Sequence, residues 1–158
     1  MVISKKVEFS ASHICRSPQL TDADNERVYG AAANPLGHGH NYLIEVAIEG
    51  DPDPVTGMIL DLKRLREILE DKVLNVYDHR LLNREVEPFD SVVPTVENIA
   101  IDIWNRVAPC IDGRAKLHSV RVHETNDLCV EYRGADPPVC AGPPGPAPTV
   151  GGSAPQTT

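Results

Sequence analysis

Polar and apolar residues alternate in two stretches of the chain, and histidines stand at one end of each. Apolar residues share one parity from Ile3 to His13, and the same alternation runs from His38 to Glu49. A period of two is typical of a β-strand with one buried face. The pattern therefore predicts two strands, the first ending and the second beginning in histidine.

Two later stretches have helical spacing. The first follows Asp61 and the second follows Thr95, and both are residue types that cap helices. Alternating runs at 117–124 and 128–132 then predict a closing hairpin. The order β-β-α-α-β-β favours an α+β domain, with a four-stranded antiparallel sheet and two helices on one face. The two sheet edges left open would invite pairing with another copy of the chain, so we expect an oligomer.

Two segments do not fit this pattern of elements. Residues 14–37 are rich in Asp, Asn, Ala and Pro and predict a long irregular connection, which inside a compact domain is usually functional or disordered. Residues 134–158 consist mainly of Pro, Gly, Ala and Ser. Such a composition buries too little apolar surface to become ordered, so we predict a folded domain at 1–133 and a disordered tail.

Composition narrows the classes of partner and location. The chain has 158 residues, is 41% hydrophobic and carries a formal net charge of −8. This acidic balance argues against a nucleic-acid partner. No apolar stretch approaches the roughly 20 residues of a membrane helix. The N-terminus lacks a secretory h-region, and the four cysteines form no CxxC pair. We therefore expect free thiols in the cytoplasm, with Cys140 a bystander in the tail.

The histidines at the strand ends are candidate metal ligands. His38 and His40 are two residues apart on a strand and so point to the same face. If the two strands pair antiparallel, His13 lies beside them. Each histidine could instead be a structural side chain with its own hydrogen bonds. Three together favour a three-nitrogen site with an open fourth position, as in catalytic zinc sites.

Three further polar positions are candidates for chemistry. Asp78 stands next to His79 and could orient it as an acid or base, although a helix-end pair is an equal alternative. Glu97 lies in the first turn of the second predicted helix, where the helix dipole alone favours a carboxylate. Glu124 ends an apolar face and calls for a partner that carries NH donors.

These residues belong to motifs that resemble a known family. The motifs are FSASH, GHGHNY, DPVTGMILDL, the Asp78-His79 pair, PTVEN and HET. In this order they resemble the 6-pyruvoyltetrahydropterin synthases and the related 6-carboxytetrahydropterin synthases of queuosine biosynthesis. The NPLGHGH context is more similar to the pyruvoyl enzymes. The resemblance covers residues 1 to about 133 and implies a tunnelling fold, in which trimers close a β-barrel, two trimers stack as a hexamer and sites lie between subunits.

The resemblance also implies roles for the site residues. It implies that His13, His38 and His40 hold Zn²⁺ and that the substrate is 7,8-dihydroneopterin triphosphate. Bound zinc would acidify the side-chain hydroxyls of that substrate. The resemblance further implies that Glu124 anchors the pterin ring with help from Thr95 and Glu97, and that Asp78 and His79 shuttle protons.

One residue of the family's set is absent. The family's general-base cysteine aligns with Ala32, and this chain also lacks the glutamate that an aldolase-like group of the family places nearby. Cys15 is a candidate replacement, since it lies two residues past His13 and zinc and His79 would lower the pKa of a nearby thiol. His79 alone and zinc-bound water are other candidates. The alternative from another class is a non-catalytic pterin-binding paralogue.

Overall fold

The structure is a computed structural model, and it describes residues 1–134. The prediction of a disordered tail at 134–158, Cys140 included, lies outside the described residues except for Gly134. The five strands are β1 (Val2–His13), β2 (His38–Glu49), β3 (Arg80–Leu81), β4 (Lys116–His123) and β5 (Cys129–Tyr132). The helices are α1 (Asp22–Tyr29), α2 (Leu62–Leu69), α3 (Asn75–Tyr77), α4 (Leu82–Glu85) and α5 (Val96–Val107).

One sheet joins the strands in the order β3-β1-β2-β4-β5. β1 and β2 pair antiparallel over their whole length, with Val2 opposite Glu49 and His13 opposite His38. β4 and β5 continue the antiparallel sheet. The four predicted strands are therefore confirmed. The predicted strand count is wrong by one, because β3 adds two residues parallel to β1, and two residues are too few to show a period.

The helices pack on one face of this sheet around a common core. Phe9 and Tyr42 of the strands are buried together with Leu65 of α2 and Ile103 of α5. Burial of these apolar side chains provides the main driving force for the fold. Both predicted helix starts are confirmed, since the Asp61 side chain accepts from Lys63 N and the Thr95 side chain from Asn98 N. Between α2 and α3 the chain makes a π-helical turn at Glu70–Leu74.

The prediction of an irregular connection at residues 14–37 is wrong. This segment contains α1 and a 3₁₀ helix. The 3₁₀ helix spans Gly30–Ala33, and we call it the alanine turn. α1 begins at Thr21, whose side chain accepts from Asp24 N. Asn25 is its one buried residue and holds the preceding loop by hydrogen bonds to the backbone of Ser17, Leu20 and Thr21. A helix anchored by a polar residue has no apolar stripe for a pattern to reveal.

None of the helices within residues 1–134 combines the length and the apolar composition that a membrane crossing would need.

Candidate active site

Three histidines meet at the end of the β1–β2 pair, and we call them the histidine cluster. The register that sets His13 opposite His38 brings their Nε2 atoms to 3.0 Å. One donor atom from each of His13, His38 and His40 lies within 4.8 Å of the others. The sequence predicted this grouping, and the structure forms it with His13 only 1% exposed.

Main-chain contacts fix the orientation of His13. Its Nδ1 lies 2.7 Å from the carbonyl oxygen of Pro94, just before α5. A carbonyl can only accept, so Nδ1 carries the proton and Nε2 presents its lone pair to the cluster. Burial lowers the pKa of His13 and of His38, and the neighbouring histidines lower both further. Neutral imidazoles are the form that binds metal.

Two ring nitrogens of the cluster that have no hydrogen-bond partner within residues 1–134 indicate that the cluster fits a metal ion. His38 Nδ1 and His40 Nε2 are buried without a hydrogen-bond partner among the described residues. Most buried polar atoms have such a partner, so an orphan of this kind requires an explanation. A cation bound between the three rings would be the missing partner of the nitrogen that faces it. Three imidazole nitrogens are also a ligand set that suits zinc.

Glu124 lies over the cluster, at the end of β4. Its Oε1 is 3.6 Å from His13 Nε2 and 3.7 Å from His40 Nε2. The same oxygen accepts a hydrogen bond from the Tyr42 hydroxyl at 3.3 Å, and that hydroxyl is 3.4 Å from His13 Nε2. The sequence prediction included Glu124 but missed Tyr42. The signal was present, because Tyr42 shares the parity of His38 and His40 on β2.

The Asp78–His79 pair forms as predicted and is held by β1. Asp78 Oδ2 lies 2.9 Å from His79 Nδ1, and Asp78 Oδ1 accepts from Ser10 N. These hydrogen bonds lower the pKa of Asp78, with the Ser10 contact the largest cause. His79 has a φ of 58°, a region that side chains rarely adopt, and its N–H bonds the Ser10 carbonyl. The backbone of β1 therefore fixes the position of the pair.

The His79 ring projects away from its own chain, since its side chain is 82% exposed. It lines a cavity of about 600 Å³ together with His40, Asn41 and Arg80. None of the described contacts joins His79 to the donor atoms of the histidine cluster. Of the three clustered histidines, His40 is the one that lines this cavity.

The two remaining pterin candidates lie at the start of α5. Thr95 is half-buried and its hydroxyl accepts the capping hydrogen bond, which leaves the hydroxyl proton free to be donated. Glu97 is exposed on the first turn, near enough to Cys15 to raise the pKa of its thiol. Because Pro94 bonds His13, this helix start lies beside the histidine cluster.

Cys15 and Ala32 are neighbours, but Cys15 does not have the predicted surroundings. β1 ends at His13, so Cys15 does not share its face. The thiol lies 3.9 Å from His13 Nδ1, the ring atom that does not face the cluster. Burial, followed by the charges of Glu124 and Glu97, raises the pKa of the thiol to about 11. Ala32 accepts a hydrogen bond from Cys15 N through its carbonyl.

Comparison with known proteins decides the family. The sequence model of the family described as 6-pyruvoyl tetrahydropterin synthase matches residues 2–135. The chain belongs to this family. The 6-pyruvoyl tetrahydrobiopterin synthase of Poecilia reticulata is 41% identical over 132 residues, covering 84% of this chain and 89% of that protein. The Homo sapiens protein of the same name is 38% identical over 132 residues, covering 84% and 90%.

A solved structure agrees with this assignment. The Caenorhabditis elegans 6-pyruvoyl tetrahydropterin synthase superposes with a TM-score of 0.82 at 35% identity, covering 85% of this chain and 96% of that chain. The family and the tunnelling fold implied by the sequence resemblance are confirmed. The chain is accordingly an enzyme of pterin biosynthesis, a lyase by class.

Proposed function

We propose that the protein is a zinc-dependent lyase that eliminates triphosphate from 7,8-dihydroneopterin triphosphate, as a 6-pyruvoyltetrahydropterin synthase does. The observation that carries this proposal is the histidine cluster with Glu124 directly above it. Zinc held by His13, His38 and His40 would acidify the hydroxyls of the substrate side chain and stabilise the negative charge that develops as protons move.

In this proposal the carboxylates bind and orient the pterin. Glu124 accepts from the NH groups of the ring, and the charge assistance makes these hydrogen bonds strong. Thr95 donates its free hydroxyl proton, and Glu97 supplies a second carboxylate at the start of α5. The helices cover the inner face of the sheet, and the apolar core between them borders the histidine cluster through Ala11 and Tyr42.

Proton transfer falls to Asp78 and His79. The carboxylate of Asp78 holds the Nδ1 side of the His79 ring, which leaves Nε2 to give or take a proton at the substrate side chain. Ala32, at the position of the family's cysteine, has no group that can accept a proton. Cys15 stays a candidate for that role in our proposal, although its raised pKa and its place behind His13 do not favour it.

We propose that the working form is a trimer or a hexamer. Within residues 1–134, the side of β1 that faces away from β2 has no neighbouring strand along Val2–Glu8, and β5 has none beyond it. Such edges favour pairing with another copy. Light scattering of the 17.2 kDa chain tests this directly, and a monodisperse monomer at micromolar concentration contradicts it. A chain shortened after Gly134 should give the same assembly.

The test of function is incubation of the metal-loaded protein with 7,8-dihydroneopterin triphosphate. We expect release of triphosphate and formation of 6-pyruvoyltetrahydropterin, and Asp78→Asn should lower this rate. A 6-carboxy product would assign the chain to the queuosine branch instead. Tight pterin binding without turnover would favour a pterin-binding paralogue, a second candidate that the empty side-chain position at Ala32 supports.

A further inference from the structure

We propose that Glu124 is an exchangeable fourth ligand of the metal held by the histidine cluster, and that a bound pterin draws it away. This inference rests on the proposed function, since it needs a metal at the three histidines and a pterin at Glu124.

The position of the carboxylate is the first argument. Zinc bonds of about 2.0–2.1 Å in a tetrahedron place neighbouring ligand atoms about 3.3 Å apart. Glu124 Oε1 lies 3.6 Å from His13 Nε2 and 3.7 Å from His40 Nε2, close to that separation. It approaches from the side of these two rings and does not belong to the group whose donor atoms all lie within 4.8 Å. A rotation of the Glu124 side chain toward His38 would bring the carboxylate nearer to all three imidazoles.

The charge of the carboxylate is the second argument. The Glu124 side chain is only 15% exposed, and no lysine or arginine of the described chain forms an ion pair with it. Its close neighbours are the rings of His13 and His40 and the hydroxyl of Tyr42. A largely buried carboxylate is costly unless a positive charge accompanies it. A divalent cation at the histidine cluster supplies that charge.

The use of the two carboxylate oxygens is the third argument. The contacts to His13, His40 and Tyr42 all fall on Oε1. Oε2 therefore remains for the first NH group of an incoming pterin. When the ring engages both oxygens, Oε1 leaves the metal and opens a coordination position. Recognition of the ring would then expose the metal to the side chain of the substrate only after that substrate has bound.

The first measurement is zinc affinity by competition with a chromogenic chelator. Loss of outer-shell partners typically costs 10–100-fold in metal affinity, so loss of a direct ligand in Glu124→Gln should cost at least about tenfold. Glu97→Gln is the matched control, because it removes a nearby carboxylate that does not touch the histidines. Its zinc affinity should stay within about twofold of wild type, since an exposed charge without direct contact acts only weakly through solvent.

The second measurement uses cobalt as a spectroscopic probe in the wild-type protein. Visible bands of bound Co²⁺ report the number and type of ligands. We would add 6-methyl-7,8-dihydropterin, which carries the ring but has no side-chain hydroxyl to bind metal. The bands should shift in wild type as the pterin saturates. Glu124→Gln should start from a different spectrum and should not shift when the same pterin is added at saturation.

The outcomes separate this inference from the proposed function. A wild-type protein that binds neither zinc nor cobalt contradicts both. A protein that binds metal and pterin, yet shows equal zinc affinity in Glu124→Gln and an unmoved cobalt spectrum, contradicts only the ligand role of Glu124. The wild-type cobalt titration decides the question even if the variant fails to fold.

Discussion

The histidine cluster and the alanine turn lie close together but differ in how their polar atoms are hydrogen-bonded. In the cluster, two buried nitrogens have no partner within the described chain. In the turn, all three alanine carbonyls accept hydrogen bonds, from Asn34 N, Cys15 N and the Arg16 side chain. The cluster has donor atoms to offer to a bound ion, whereas the turn is complete and carries no reactive group. Zinc binding and turnover can therefore be tested by separate substitutions.

The largest effect is expected from substitution of the histidines of the cluster. His38→Ala and His40→Ala should each lower zinc affinity enough that the ion is lost during gel filtration, because each variant removes one of three imidazole ligands. Metal analysis after gel filtration measures it. His118→Ala is the control, since this histidine pairs with Glu49 on another part of the sheet and should leave the zinc content unchanged. A zinc-free wild type that takes up none on reconstitution would end the metal hypothesis.

The second prediction tests whether Cys15 is available for chemistry. Burial raises the pKa of the Cys15 thiol to about 11, so the thiolate fraction near neutral pH is about a hundredfold smaller than for an ordinary thiol. Its burial slows attack further. We expect iodoacetamide to alkylate the exposed Cys129 at least about a hundred times faster than Cys15, as followed by peptide mass mapping. Equal rates would restore Cys15 as the replacement base.

The third prediction concerns the pterin anchor beside the cluster. Glu124→Gln should weaken pterin binding by ~1.5–3 kcal/mol, because it replaces a charge-assisted hydrogen bond by a neutral one. Fluorescence titration with a reduced pterin measures the change. Glu131→Gln, on the opposite face of the sheet, is the control and should bind as wild type does. An affinity unchanged in Glu124→Gln would remove this residue from the site.

The smallest effect is expected when a cysteine is introduced into the alanine turn. A general base is worth roughly 10²–10⁴-fold, and an unoptimised one should recover at least about tenfold in Ala32→Cys. Ala31→Cys is the control, since that side chain is exposed. Initial rates of triphosphate release measure both. A wild type as fast as cysteine-bearing relatives, and insensitive to Cys15→Ala, would mean that another group is the base.

The sequence revealed most clearly what depends on period and register. The alternation of β1 and β2 predicted both strands, and antiparallel pairing alone placed His13 beside His38. The caps at Asp61 and Thr95 marked the helix starts because their side chains bond the first free N–H groups. These features are local or follow from a single pairing.

The features that the sequence did not predict depend on tertiary contacts, which leave no periodic pattern along the chain. Asn25 anchors α1 without an apolar stripe, and β3 has only two residues. The side of the His13 ring on which Cys15 lies depends on where β1 ends and on the path of the chain after it. The capping signal of Thr21 with Asp24 could have revealed α1.

The hydrogen bond from His13 to Pro94 has a consequence for mutational studies. Its acceptor is a main-chain carbonyl, which every residue type supplies. Substitution at position 94 therefore leaves the acceptor in place, and a screen of point mutants will find this contact silent while each histidine is intolerant. Insertions or deletions between Val93 and Thr95 move the carbonyl itself, so the genetic signature of this contact is sensitivity to the length of the chain.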